Sequence, residues 1–251
     1  MIQLQSVPTL QKPTLSARVA RHLIDLVQQK GLRPGDFVPS EVQICKDLQV
    51  SRGSVREAYR ALAALGILEI ESGRRPRLQS VNAHVLAQVF GYALSTAQVN
   101  PTHVIETRRA IEVQGAQLAA RNITDAQKRV LQDLVGQMRA ALGDRDHARR
   151  VTADLAIHTT LAEASCNPLN PLLLAALRAP LEQVMQIDHA NRRTESELSR
   201  IVDAHDAIVE RVCAGDAVGA GAAMAMHFDL SVGSVSKNEH AAVAAEVASR
   251  N

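Results

Sequence analysis

The sequence predicts a mainly α-helical protein in two parts: three helices with a small β-hairpin, then an all-α antiparallel helical bundle. Three observations predict it. Apolar residues make up 46% of the 251 residues but aromatic residues only 2%, so the core is built from Leu, Val, Ile and Ala, a mixture that suits packed helices better than sheets. Within the first 80 residues, helical periodicity gives way once to strict alternation bounded by a turn signal. Beyond about residue 82 no strand pattern recurs, and the length allows each part a core of its own.

Residues 1–14 are polar, carry Pro8 and Pro13 and show no period, which predicts a flexible N-terminal arm. A first helix follows from Ser16, with Val19, Leu23, Leu26 and Val27 on one face and Gly31 and Pro34-Gly35 ending it. Ser40 opens a second helix to about Leu48, with Gln43 placed to close a capping box. Ser51 opens a third, whose buried face holds Val55, Ala58, Leu62 and Leu65 and which stops at Gly66. Ile67 to Glu71 alternates, Ser72-Gly73 is a turn, and Leu78 belongs to a return strand. Three helices and a hairpin within residues 15–80 are the order of a winged helix-turn-helix.

Residues 81–240 read as seven helices at 84–97, 101–121, 124–142, 145–165, 169–190, 195–213 and 216–237, followed by a tail over 241–251. The breaks at Asn100-Pro101, Asn122 to Thr124, Gly143-Asp144, Asn167-Pro168 and Gly215-Asp216 carry capping and helix-stopping residues. No short-period repeat is present, so a compact bundle is expected rather than a solenoid.

Charge divides with the domains. Residues 1–80 hold 12 Lys and Arg against 7 Asp and Glu, whereas residues 81–251 hold 16 against 19. The first part therefore carries a net +5 and the second −3, a distribution that suits a first domain that meets phosphates, or an ordinary solvated surface. Cys45, Cys166 and Cys213 are odd in number and far apart, which argues against a disulfide framework and a thiolate zinc site and fits a reducing cytoplasm. Neither a signal peptide nor a membrane span is expected.

The stretch from Pro39 to Leu68, PSEVQICKDLQVSRGSVREAYRALAALGIL, with Leu32-Arg-Pro-Gly-Asp36 before it, resembles the signature of the GntR family of bacterial transcription regulators. A recognition helix capped by Ser51 puts Arg52 and Arg56 on its N-terminal turns, where an arginine fork can reach guanine O6 and N7 in the major groove. Ser40, Ser51 and Ser54, beside free helix-start N–H groups, are candidates to hold phosphates. Arg74, Arg75 and Arg77 make the hairpin a basic wing. Two departures from the family pattern bear on contact details. The wing tip reads Gly73-Arg-Arg-Pro76 rather than G-x-G, and Val42 stands where an arginine often follows Ser-Glu.

In the second part, Asp154 and His158 are four residues apart and share one helix face. His205 and His227 lie ten residues before and twelve after Gly215. At a rise of ~1.5 Å per residue, a helix pair folded there returns both to similar heights. One carboxylate and three imidazoles in a bundle core suit a divalent metal ion, zinc, nickel or manganese.

Asp154-Leu-Ala-Ile-His158, His205-Asp-Ala-Ile-Val and Met226-His-Phe228 resemble the ligand-binding FCD domain of the FadR subfamily, and the resemblance implies that those four residues are metal ligands. Glu106-Thr-Arg108-Arg-Ala-Ile-Glu112 resembles the start of the same domain. It implies that Arg108 faces a carboxylate effector; the alternative is an i+4 bond to Glu112. Asn167 either lines the effector pocket or forms a turn.

The resemblance further implies a homodimer on a palindromic double-stranded DNA operator, with a small organic acid as effector. The expected function is therefore a transcription regulator and not an enzyme, since no acid is spaced as a general base in the way HExxH supplies one. The alternatives are a regulator with a purely structural metal and no effector, and a metal-dependent hydrolase.

Overall fold

The computed structural model describes residues 13–185 and 194–230, with the side chains of 179–185 excepted. Most of the expected arm, the expected tail, and the expected helix ends at 190 and 237 lie outside the described residues. The chain divides into two compact units, residues 1–85 and 86–251.

In the first unit, helix α1 spans Leu15–Gln29, α2 spans Glu41–Leu48 and α3 spans Arg52–Ala64, capped by the side-chain oxygens of Thr14, Ser40 and Ser51. Each cap satisfies a backbone N–H that the first helical turn leaves without a partner. Ser40 accepts from the Gln43 amide at 3.3 Å, one half of the expected capping box. Gln49 in the left-handed region ends α2, which sets the turn into α3.

The buried face of α3 is Val55, Ala58, Tyr59 and Leu62. Leu65, expected there, is 58% exposed instead. The helix ends at Ala64, and Gly66 at φ +67° turns the chain away before a further turn can bring Leu65 to the core. Strands β1 (Leu68–Glu69) and β2 (Arg77–Leu78) pair antiparallel in the register Leu68 with Leu78 and Glu69 with Arg77. Val19, Leu23, Val38, Ile44 and Val55 pack around Tyr59 as this unit's core.

Helix α4 (His84–Ser95) leads into the bundle of α5 (Pro101–Asn122), α6 (Asp125–Gly143), α7 (His147–Ala164), α8 (Leu169–Met185), α9 (Glu195–Cys213) and α10 (described over 217–230). Asn100, Thr124 and Thr194 close capping boxes at the starts of α5, α6 and α9, and Asp146 caps α7. Among the described residues no strand follows Leu78. Helix α5 packs on α7, α8 and α9, while α6 packs on α7 and α9. Gly115, Ala116, Ala119 and Ala120 give α5 a small-residue buried face. Leu131, Met138, Ile157 and Ile208 fill the centre, each fully buried. Burying one such side chain stabilises the fold by ~1.5–3 kcal/mol.

Candidate metal centre and DNA-reading surface

Arg52 is the first residue of α3 and Arg56 lies one turn on, both exposed. The Arg56 guanidinium sits 3.6 Å from the Glu41 carboxylate of α2, a surface pair that a DNA phosphate or base edge can displace. The Ser40 and Ser51 hydroxyl oxygens accept backbone N–H groups of Gln43 and Ser54, and Ser51 Oγ also lies 3.0 Å from Ser54 Oγ. In the hairpin, Arg74, Arg75 and Arg77 are all exposed. Arg74 is ion-paired to Glu71, whereas Arg75 and Arg77 lie over the ring of Phe37.

In the bundle, α7 supplies Asp154 and His158, α9 supplies His205 and α10 supplies His227. The three histidines are buried, and one ring nitrogen from each lies within 4.8 Å of the other two. Asp154 is 30% exposed, and its Oδ1 is 3.0 Å from His205 Nε2. His205 Nε2 is in turn 3.3 Å from His158 Nε2.

The opposite edges of two of these rings are engaged. His158 Nδ1–H donates to the buried carboxylate of Glu112, and His205 Nδ1–H donates to the Ile201 carbonyl at 2.8 Å. A neutral imidazole that donates through Nδ1 keeps its lone pair on Nε2. The two Nε2 atoms thus face each other across 3.3 Å, an approach that either a proton on one of them or a metal cation between them makes favourable. Two nitrogens on one tetrahedral ion at ~2.0–2.1 Å lie about 3.3–3.4 Å apart, so the donor set fits a divalent metal.

Electrostatics follow the same pattern. Burial alone raises the Asp154 carboxyl, but His205, His158 and His227 outweigh it and hold the group well below the usual carboxylate range. Burial, then the proximity of His205 and His158, pushes His227 well below an ordinary histidine, toward the neutral form a metal ligand requires. For His205, the lowering by burial is outweighed by Asp154 and the Ile201 carbonyl, and the net direction is up.

Sequence reasoning missed the role of Glu112. It lies 46 positions from His158 and was visible only as the i+4 neighbour of Arg108. Arg108 Nε donates to Glu112 Oε1 at 2.8 Å, with the guanidinium only 15% exposed and lying over the Phe228 ring. The structure therefore contains the i+4 bond, but between largely buried partners. Burial raises the Glu112 carboxyl; His158 and Arg108 more than offset this and leave it below its ordinary value.

Asn167 is exposed, and its Oδ1 accepts the Leu169 N–H at 3.1 Å, so it forms the turn into α8. Asn170 instead lines a small cavity of about 10 Å³, together with Glu112, His158, Ala162 and Leu174.

Comparison with known proteins agrees with both halves of this geometry. The FCD domain family matches residues 103–230, and the family described as bacterial regulatory proteins, gntR family, matches residues 15–77. The chain is 30% identical over 206 residues to the HTH-type transcriptional regulator LutR of Bacillus subtilis, covering 80% of this chain and 92% of the relative. It is 30% identical over 222 residues to the putative L-lactate dehydrogenase operon regulatory protein of Escherichia coli, covering 85% of this chain and 83% of that protein. Among solved structures, Streptococcus agalactiae GntR matches with a TM-score of 0.66 at 27% identity, covering 87% of this chain and 99% of that one. A winged reading head with exposed arginines, a helical FCD domain after it in sequence and regulators as relatives lead to one conclusion: the chain is a member of the GntR family of bacterial DNA-binding transcriptional regulators, of the branch with a C-terminal FCD domain.

Proposed function

We propose that this regulator binds a palindromic operator as a cytoplasmic homodimer, and that a small carboxylate bound beside a divalent metal in the helical domain changes its operator affinity. Arg52 and Arg56 read bases, while Ser40, Ser51, Ser54 and the wing arginines Arg74, Arg75 and Arg77 hold the backbone. Asp154, His158, His205 and His227 ligate the ion, whether zinc, nickel or manganese. The observation that carries the reading is the pair of Nε2 atoms 3.3 Å apart, each ring tied down at its far edge. Outer partners of this kind orient ligand histidines and raise their basicity.

The ion, when bound, supplies positive charge that attracts an organic acid. Arg108 is the second attraction: it already holds one carboxylate, that of Glu112, and an effector would compete for the same fork. One relative is described as the regulatory protein of an L-lactate dehydrogenase operon, and lactate belongs to this chemical class. Asn167 is an exposed turn residue, whereas Asn170 lines the cavity beside Glu112 and His158 and is the better candidate for a polar group beside the effector.

The test is calorimetric titration of small carboxylates into metal-loaded and chelated protein, paired with operator binding in each state. Tight binding only to the loaded form supports the reading, and an unchanged affinity after verified metal loss refutes it. A second reading, a purely structural metal without an effector, is favoured by the cavity: about 10 Å³ is room for one water. Under that reading no carboxylate alters operator binding, while metal removal lowers the melting temperature.

A further inference from the structure

The segment before α2 is tied to the hairpin as an added edge. Gly35 donates to the Leu78 carbonyl at 2.8 Å, Leu78 donates to Asp36 at 2.9 Å, and Val38 donates to Pro76 at 3.0 Å. These bonds hold Phe37 opposite Arg77. Phe37 remains 48% exposed, the most exposed of the aromatic rings described in this unit. Its ring is not bare, however. The guanidinium carbon of Arg77 lies 5.0 Å from the ring centroid and that of Arg75 lies 5.3 Å away, both within cation–π range.

The three wing arginines are thereby unequal. Arg74 is neutralised by Glu71, whereas Arg75 and Arg77 form no ion pair among the described residues, although Glu69 stands opposite Arg77 in the ladder. Lying over a ring occupies no N–H group, so both forks keep their donors for another acceptor. An unheld arginine loses much rotamer freedom when it grips a phosphate, and one already held over a ring loses less.

We infer that Phe37 is a positioning residue for DNA binding: its ring pre-stacks Arg75 and Arg77 as a paired phosphate clamp, with Arg74 outside the clamp. The inference rests on the reading of the hairpin as a DNA-contacting wing. Phosphate contacts act on all sequences alike and set the salt dependence of binding, each adding about 0.9 to the slope of log K against log salt. Pre-stacking instead raises affinity at every salt concentration and leaves that slope alone, since the same phosphates are gripped either way, whereas a merely structural role for Phe37 would alter the melting temperature.

The experiment titrates the full-length protein with a duplex of arbitrary sequence across a salt series, using wild type, Phe37→Leu, Phe37→Trp and the double variant Arg75→Ala/Arg77→Ala. The double variant is expected to lose about two units of slope, whereas Phe37→Leu keeps the wild-type slope and binds about 3–10-fold more weakly at every salt concentration. Phe37→Trp retains the wild-type affinity, because indole serves the cations at least as well. Trp is absent from the natural chain, so the introduced indole is a sole reporter whose emission should change as the duplex saturates the clamp. A double variant with unchanged slope overturns the wing reading itself. A double variant that loses slope beside a Phe37→Leu variant that binds the duplex as tightly as wild type at every salt concentration, both melting as wild type does, overturns the role of Phe37. Should Phe37→Leu fail to fold, an indole emission unmoved by saturating duplex overturns it equally.

Discussion

Glu112 on α5 and His158 on α7 share a buried hydrogen bond that ties the only buried carboxylate described in the core to one ring of the metal-binding cluster. Through its other oxygen Glu112 holds Arg108, so a guanidinium, a carboxylate and an imidazole form a continuous chain into the cluster. Glu112→Gln is expected to lower metal affinity by about 10–100-fold, the effect typical of losing a ligand's outer partner. Competition against a chelating dye measures it, with the variant's melting curve as the control for folding. Wild-type affinity in a folded variant would mean that Glu112 does not orient His158.

Arg52→Ala and Arg56→Ala are each expected to weaken specific operator binding by ~1–3 kcal/mol. Both side chains are exposed, and neither contributes to the core. The helical fold, and with it the proposed dimer, should therefore survive. Gel-shift titrations at fixed salt provide the check, and equal binding by both variants would remove α3 from the role of recognition helix.

Tyr59 is fully buried, and its hydroxyl donates to the Pro39 carbonyl, which ties α3 to the segment entering α2. Tyr59→Phe should cost about 0.5–1.5 kcal/mol of stability in the reading head. Burial, helped by Glu41 and Cys45, raises this phenol above its ordinary value of 10.0. The folded chain thus keeps the proton that the unfolded chain releases. Stability from this group is intact below pH 10 and falls as pH rises beyond it. Denaturant unfolding at several alkaline pH values should show a smaller decline for Tyr59→Phe than for wild type; parallel declines would contradict the assignment.

Family members bind operators and are typically dimers. Two-fold protein symmetry should then appear as two half-sites separated by about one helical turn, ~10 base pairs, or a multiple. Light scattering and footprinting test this together. A monomer at operator-binding concentration, protecting a single half-site, would contradict it.

What the sequence made legible was periodic or local. Ser40, Ser51, Thr124 and Asn100 sit at helix starts because capping depends on residues three positions apart. The spacings about His158, His205 and His227 were legible in the same way, and those three rings come together in the bundle, with Asp154 Oδ1 3.0 Å from His205. The bond from Glu112 to His158 was hidden, since it depends on how α5 packs on α7 and no spacing encodes it. Leu65 was misread because the 3.6-residue period was carried one step past the end of α3. Phe37 escaped notice for a third reason: its partners are met through a bridge between segments that show no common periodicity.

Asp154, His158, His205 and His227 are proposed to hold one divalent ion, and the effector mechanism depends on it. Native mass spectrometry with elemental analysis, on protein purified without chelators, tests it most directly when wild type is compared with His205→Ala and His227→Ala. One zinc, nickel or manganese ion per wild-type chain is expected, with loss of that ion from both variants while the reading head still binds the operator. A wild-type chain that carries no metal, and takes up none when each of the three ions is supplied, would contradict it.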